Sequence, residues 1–232
     1  MKICHISDTH TKHGLIPEIE PCDILIHSGD FTNKGEWYHT VNFLTWFNKQ
    51  PARYKIFIAG NHDFNFDLSY SKHKKTTYHN PIPYTQEDIN NYLSEFPDII
   101  YLNDSGITIE GLNIWGSPVT PFFYDWAFNR ERGGEIKQHW GLIPNNTNVL
   151  IVHGPPKGYG DYVVQGNQNV GCEDLLERIK ELKELKLACY GHIHSGHGKY
   201  VLKHEDKTVT LSNGSVLDED YMLVYDPLYY NL

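Results

Sequence analysis

Five short apolar runs in this 232-residue chain end in clusters of aspartate, asparagine and histidine. Lys2 to Ser7 runs into Asp8-Thr9-His10, and Asp23 to Ser28 into Gly29-Asp30. Lys55 to Ala59 leads to Gly60-Asn61-His62-Asp63, Asn148 to Val152 to His153-Gly154-Pro155-Pro156, and Leu187 to Tyr190 to Gly191-His192-Ile193-His194. These clusters offer carboxylate and amide oxygens and imidazole nitrogens without a thiolate, a set suited to Mn, Fe or Zn. Seven of the residues, Asp8, His10, Asp30, Asn61, His153, His192 and His194, are too many for one tetrahedral zinc. They match two divalent cations sharing a bridging carboxylate. Asp8 and Asp30 return only part of the positive charge such a pair brings, and the remainder can hold a hydroxide and a phosphoryl group. Any one cluster alone reads as an ordinary turn with capping residues. Five strand ends of the same kind do not.

The elements that must position these residues follow from periodicity. The five runs read as buried strands. Glu36 to Lys49 places Trp37, Val41, Leu44 and Phe47 at helical spacing, and Cys172 to Leu185 places Leu175, Leu176, Ile179, Leu182 and Leu185 likewise. Strands alternating with helices predict a largely parallel sheet, with ligands beyond its carboxyl edge. Leu112 to Trp115, Lys199 to Lys203, Val209 to Leu211 and Met222 to Tyr225 are expected to form antiparallel strands, in a second sheet or at the edges. The polar stretch Phe64 to Asn91, with Pro81 and Pro83, reads as a surface excursion holding a short helix near Gln86 to Phe96. Gly154 to Gly171 reads as a long loop.

The gross numbers bound the partners. Net charge is −9, which repels duplex nucleic acid but leaves room for a small phosphorylated ligand at a metal-charged site. No apolar run approaches the roughly 20 residues needed to span a bilayer. The four cysteines form no C-x-x-C pair and no export signal is visible, so reduced thiols and a cytoplasmic location are expected. Of the 14 histidines, His5 and His27 fall inside strands and read as hydrogen-bonded core. His13 and His197 lie near the clusters and read as solvent-exposed or substrate-facing, whereas His39, His73, His79, His139 and His204 read as surface. Lys72, Lys74 and Lys75 read as a solvated basic face. In the aromatic stretch Trp115, Phe122, Phe123, Tyr124, Trp126 and Phe128, most members are expected in the core and one or two against a base. Tyr159, Tyr162 and Asn167 are comparable candidates.

The order D-x-H, GD, GNHD, H, GHxH, from Asp8 to His194, resembles the calcineurin-like metallophosphoesterase superfamily. Gly29-Asp30-Phe31-Thr32, Ile58-Ala59-Gly60-Asn61-His62, Asp125-Trp126-Ala127-Phe128-Asn129, His153-Gly154-Pro155-Pro156 and Val170-Gly171-Cys172 extend the likeness to its metallophosphoesterase-domain-containing (MPPED) branch. The resemblance implies one domain over residues 1–232, folded as a four-layer α/β/β/α sandwich of two mixed sheets flanked by helices. Asp8, His10, Asp30 and His194 would bind one metal; Asp30, Asn61, His153 and His192 would bind the other, with Mn favoured in vitro. Asn61 and His62 would meet the substrate, His62 as general acid rather than ligand. The implied activity is hydrolysis of a small (cyclic) nucleotide-like phosphodiester by metal-bridging hydroxide. A phosphomonoesterase and a nucleotide-binding protein with weak hydrolysis are the alternatives. Protein phosphatases of the superfamily carry GDxxDRG, whereas this chain has Asn33 and Lys34 in place of the last aspartate and arginine, and Ala59 where they place an arginine. Asp63 is the candidate replacement for orienting His62.

Overall fold

The computed structural model describes residues 1–73, 85–164 and 166–232. In chain order the strands are β1 (Lys2–Ile6), β2 (Cys22–His27), β3 (Ala52–Phe57), β4 (Ile99–Tyr101), β5 (Ser105–Ile109), β6 (Leu112–Ser117), β7 (Thr120–Pro121), β8 (Asn129–Arg130), β9 (Val149–Val152), β10 (Tyr162–Val163), β11 (Gln168–Asn169), β12 (Leu187–Tyr190), β13 (Gly198–His204), β14 (Lys207–Asn213) and β15 (Leu228–Asn231). The helices are α1 (Trp37–Asn48), α2 (Leu68–His73), α3 (Gln86–Ser94), α4 (Gly134–Leu142) and α5 (Glu173–Glu181). One sheet has the order β15-β1-β2-β3-β4, with β1 to β4 parallel and β15 antiparallel at the edge. The other has the order β13-β14-β12-β9-β6-β5, parallel through its middle four strands and antiparallel at both edges.

Both sheets are mixed, and their two faces are divided between three apolar layers. Ile3, Ile24, Ile26 and Ile56 of the first sheet meet Ile114, Val149, Ile151, Leu187 and Cys189 of the second. Alternate residues point the other way. Cys4, Leu25 and Phe57 pack against Phe43, Leu44 and Phe47 of α1 and Ile89 of α3, while Leu150, Ala188 and Tyr190 pack against Ile136 and Trp140 of α4 and Leu175 and Ile179 of α5. All of β9 and β12 and the carboxyl-terminal parts of β1, β2 and β3 are buried, which is why they read as continuous apolar runs. The resulting layers are helix, sheet, sheet, helix, as the resemblance implied. The parallel strands of both sheets bring the carboxyl ends of β1, β2, β3, β9 and β12 to a common edge.

Three expectations are corrected. Met222 to Tyr225 forms no strand; an isolated Leu217–Leu223 bridge is all that pairs there. The Asp218 carboxylate accepts bonds from the backbone N–H of Asp220 and Met222, turning this segment back on itself. The last strand, β15, lies later and pairs antiparallel with β1. The start of the Phe64 to Asn91 excursion is not superficial: Asn65, Phe66 and Asp67 are buried, and Asp67 accepts a bond from Phe128 N–H. Pro81, Pro83, Lys74, Lys75 and His79 lie outside the described residues. The Gly154 to Gly171 loop contains the β10–β11 hairpin. All four cysteines are free thiols, and among the described residues no helix is long and apolar enough to cross a membrane.

Candidate metal centre

The turns after the strands use backbone shapes that side chains ordinarily avoid. Asp8, His10, Asp30 and His192 have φ of 54°, 39°, 59° and 68°. Such strain is held only where the surroundings over-determine it, and it clusters at functional sites. The glycines beside them are obligatory. Gly29 has φ of 102°, and a Cβ there would meet His153 Nδ1 at 2.7 Å; a Cβ on Gly191 would collide with an Asp8 carboxylate oxygen and Ser7 Oγ.

All seven expected donors, with His62, come together. Asp8, His10 and His194 present ligand atoms within 4.8 Å of one another, and so do Asp30, His153 and His192. Asn61 Oδ1 lies 2.9 Å from His153 Nε2. Asp30 joins the two groups: its Oδ2 is 3.3 Å from His153 Nε2 and 3.8 Å from His10 Nε2. The trio His10, Asp30 and His62 is equally compact, although His62 Nε2 stands farther from Asp30 Oδ2, at 4.0 Å.

The rings are held from behind. His153 Nδ1 donates to the Ser28 carbonyl at 2.9 Å and His194 Nδ1 to the Asp218 carbonyl at 2.9 Å, leaving Nε2 of each as the atom facing the carboxylates. Asp8 accepts from His192 N–H and from Ser215 Oγ at 2.8 Å. His62 N–H donates to Asp30 Oδ1 at 2.8 Å. Carbonyl and hydroxyl partners of this kind commonly orient metal ligands. His10 is buried, and neither ring nitrogen has a hydrogen-bond partner among the described residues. An orphaned buried imidazole is costly, and a cation beside it removes that cost.

Electrostatics favour the same occupant. Burial opposes the charge on Asp8 and Asp30, but the surrounding histidines win, with His194 foremost at Asp8 and His153 at Asp30; both carboxyls are held well below the usual range. Burial likewise opposes charge on His153 and His194, yet Asp30 for the first and Asp8 for the second raise them to about 9. Burial pushes His10 down to about 3 and His192 to about 4. The charge-holding groups are thus carboxylates with pinned imidazoles. A divalent cation would take the place of the ring protons and require those rings neutral. The donor set therefore fits metal ions.

Asp63 does not orient His62. It is buried and accepts bonds from Asp30 N–H, Gly60 N–H, Thr32 N–H and Thr32 Oγ1, tying the turn after β2 to the turn after β3. Burial first and the nearby Asp30 second raise its pKa to about 7. His62 Nδ1 donates instead to the Asn33 carbonyl at 2.7 Å. His13 is not exposed: it is buried against Phe43 and Trp46. His197 is half-buried and stacks on Tyr225. His139 is also half-buried, bonded to Asp104 and Arg130.

Sequence reasoning missed Ser215 and Tyr221. Ser215 had a signal: Gly214-Ser215 follows β14, whose carboxyl end lies beside that of β12. Tyr221, whose ring sits 4.9 Å from His10 and 5.3 Å from His194, had none.

The profile for calcineurin-like phosphoesterases matches residues 1–196. The human protein called Metallophosphoesterase domain-containing protein 1 is 38% identical over 231 residues, covering 98% of this chain and 69% of its own. A UPF0046 protein of Caenorhabditis elegans is 35% identical over 199 residues, covering 85% of this chain and 65% of its own. One solved crystal structure superposes with a TM-score of 0.63 over 91% of this chain and 89% of that one, at 16% identity, and shares the fold. By profile, relatives and the arrangement of its strand-end residues, this chain belongs to the calcineurin-like phosphoesterase family of metal-dependent hydrolases acting on phosphate esters.

Proposed function

We propose that the chain is a two-metal phosphodiesterase acting on a small nucleotide-like ester. The observation that carries this reading is the position of Asp30 Oδ2 between His153 Nε2 and His10 Nε2, where one carboxylate serves two donor groups. Asp8, His10, Asp30 and His194 would hold one divalent transition-metal ion, and Asp30, Asn61, His153 and His192 the other. Mn, Fe and Zn all suit these donors. When bound, the pair supplies a water of lowered pKa and positive charge opposite the phosphoryl oxygens.

The residues supply the rest. Asn61 positions its amide at the site beside His153. His62 Nδ1 is committed to the Asn33 carbonyl, so Nε2 is the atom that exchanges a proton. As the water oxygen bonds to phosphorus, the phosphorus–leaving-oxygen bond breaks, and the leaving oxygen takes the proton from His62 Nε2. The water sheds one proton, which returns His62 to its starting form. A positioned acid of this kind contributes about 10²–10⁴-fold. Ala59 is fully buried and brings no cation beyond the metals, which supports a singly charged diester over a doubly charged monoester.

Apo protein re-supplied with Mn, Fe, Zn or Mg and offered bis-aryl and mono-aryl phosphates tests this directly. Metal-dependent turnover favouring the diester is expected. Preference for the monoester would replace the reading with a phosphomonoesterase. Nucleotide binding without turnover would replace it with a nucleotide sensor.

A further inference from the structure

Four rings form a column that ends on His62. Tyr70 of α2 stacks on Phe64 with centroids 4.6 Å apart and planes 5° apart. Phe64 stacks on Trp126 at 5.5 Å and 22°, and Trp126 covers His62 at 4.1 Å and 32°. His62 and His10 then meet in a T-shaped contact at 4.6 Å and 87°. Trp126 arrives from a different segment, between β7 and β8, and that segment is tied to the one bearing His62. Ala127 N–H donates to the Asn61 carbonyl at 3.2 Å, Phe128 N–H to Asp67 Oδ2 at 2.7 Å, and Tyr70 Oη to the Asp125 carbonyl at 3.2 Å.

This arrangement answers a geometric need. The single bond from His62 Nδ1 to the Asn33 carbonyl fixes one direction in the imidazole plane but leaves the ring able to tilt about it. The indole face blocks that tilt, and Phe64 stands where the indole would otherwise retreat. The expectation that most of the aromatic stretch lies in the core is corrected: Phe122, Phe123 and Tyr124 are exposed, only Phe128 is buried, and Trp126 is half-buried with the ring assigned to proton transfer among its contacts.

We propose that Trp126 is a positioning residue for phosphoester hydrolysis, setting the plane of the His62 imidazole so that Nε2 points at the leaving oxygen. The proposal rests on the reading of His62 as general acid. Positional errors of about 1 Å at a reacting group cost up to about 10²-fold, and the loss falls only where the acid is needed, on esters that leave as alkoxides.

The test is a cycle of Trp126→Leu, Trp126→Phe, His62→Ala and the double variant H62A/W126L. Each is assayed on a cyclic nucleotide, whose leaving group is an alkoxide, and on a bis-nitrophenyl ester, whose leaving group needs no proton. Metal content is measured throughout. Trp126→Leu is expected to lower kcat about 10-fold to 10²-fold on the cyclic nucleotide with KM unchanged, and to leave the nitrophenyl ester nearly untouched. Trp126→Phe should recover most of the loss, and the double variant should be no slower than His62→Ala. In the apo protein, the His62 Hε1 resonance should carry an indole ring-current shift that Trp126→Leu abolishes. Equal losses on both esters, multiplying losses in the double variant with metal retained, or a change in KM alone would overturn the proposal. If His62→Ala itself loses equally on both esters, the acid reading falls, and the proposal falls with it.

Discussion

Two groups of buried histidines in this chain carry the same side chain to opposite ends. His5 and His27 lie within β1 and β2 and are fully enclosed. His5 bonds Ser212 Oγ at 2.6 Å and Ser28 Oγ at 2.9 Å; His27 bonds Thr9 Oγ1 at 3.1 Å and accepts from Gly29 N–H at 3.2 Å. Both nitrogens of each are used by neutral partners, and burial pushes both rings down to about 3. A few residues later, beyond the strand ends, His10, His153 and His194 face the carboxylates of Asp8 and Asp30. There one nitrogen is pinned by a carbonyl or both have no partner. Burial alone does not distinguish a ligand from a core residue. What distinguishes them is what the second nitrogen faces: a hydroxyl or a backbone N–H in the core pair, a carboxylate of Asp8 or Asp30 beyond the strand ends.

The comparison can be broken at several points. The greatest effect belongs to Asp30, the carboxylate shared by both donor groups. Asp30→Ala is expected to release both metals and to lower turnover by more than about 10³-fold; elemental analysis of purified protein and steady-state rates check it. His62→Ala should keep its metal and lose about 10²–10⁴-fold on an alkoxide ester, so metal loss in that variant would make His62 a ligand instead. Ser215→Ala removes the hydroxyl that bonds Asp8 Oδ2 and should weaken metal affinity about 10- to 100-fold, measured by competition with a chelator.

The core pair answers to pH rather than metal. His5 and His27 are neutral when folded, with pKa values lowered to about 3, and near 6.5 when unfolded, so the unfolded chain binds more protons between those values. Stability is full above about pH 6.5 and falls by about 1.4 kcal/mol per pH unit for each histidine as pH drops below it. Urea titrations of apo protein between pH 7 and 5 read the summed slope, which His10 and His192 steepen and Asp63 opposes, so the core share is read as the difference a His27 variant makes. His27→Gln should flatten it by one histidine's share while leaving metal binding intact.

The seven donors were legible because each follows an apolar run, and because parallel strands bring their carboxyl ends to one edge. The two-sheet sandwich came from the resemblance; the spacing alone gave a parallel sheet with an undefined antiparallel set. The backbone carbonyls that orient the rings, of Ser28, Asn33 and Asp218, were illegible, because any residue supplies one. Asp63 misled for a related reason. It follows His62 directly, but its side chain turns toward three backbone N–H groups and a hydroxyl that only the folded turns assemble. Met222 to Tyr225 has the composition of a strand, yet the backbone before it serves the site through the Asp218 carbonyl.

Calorimetric titration of the apo chain with Mn(II), read together with the metal content of the reloaded protein, bears most directly on the shared carboxylate. The expected result is two ions per chain, with both lost on replacing Asp30 and neither lost on replacing His27. A saturable stoichiometry of one, or no uptake at all, would contradict a centre in which Asp30 joins two metals.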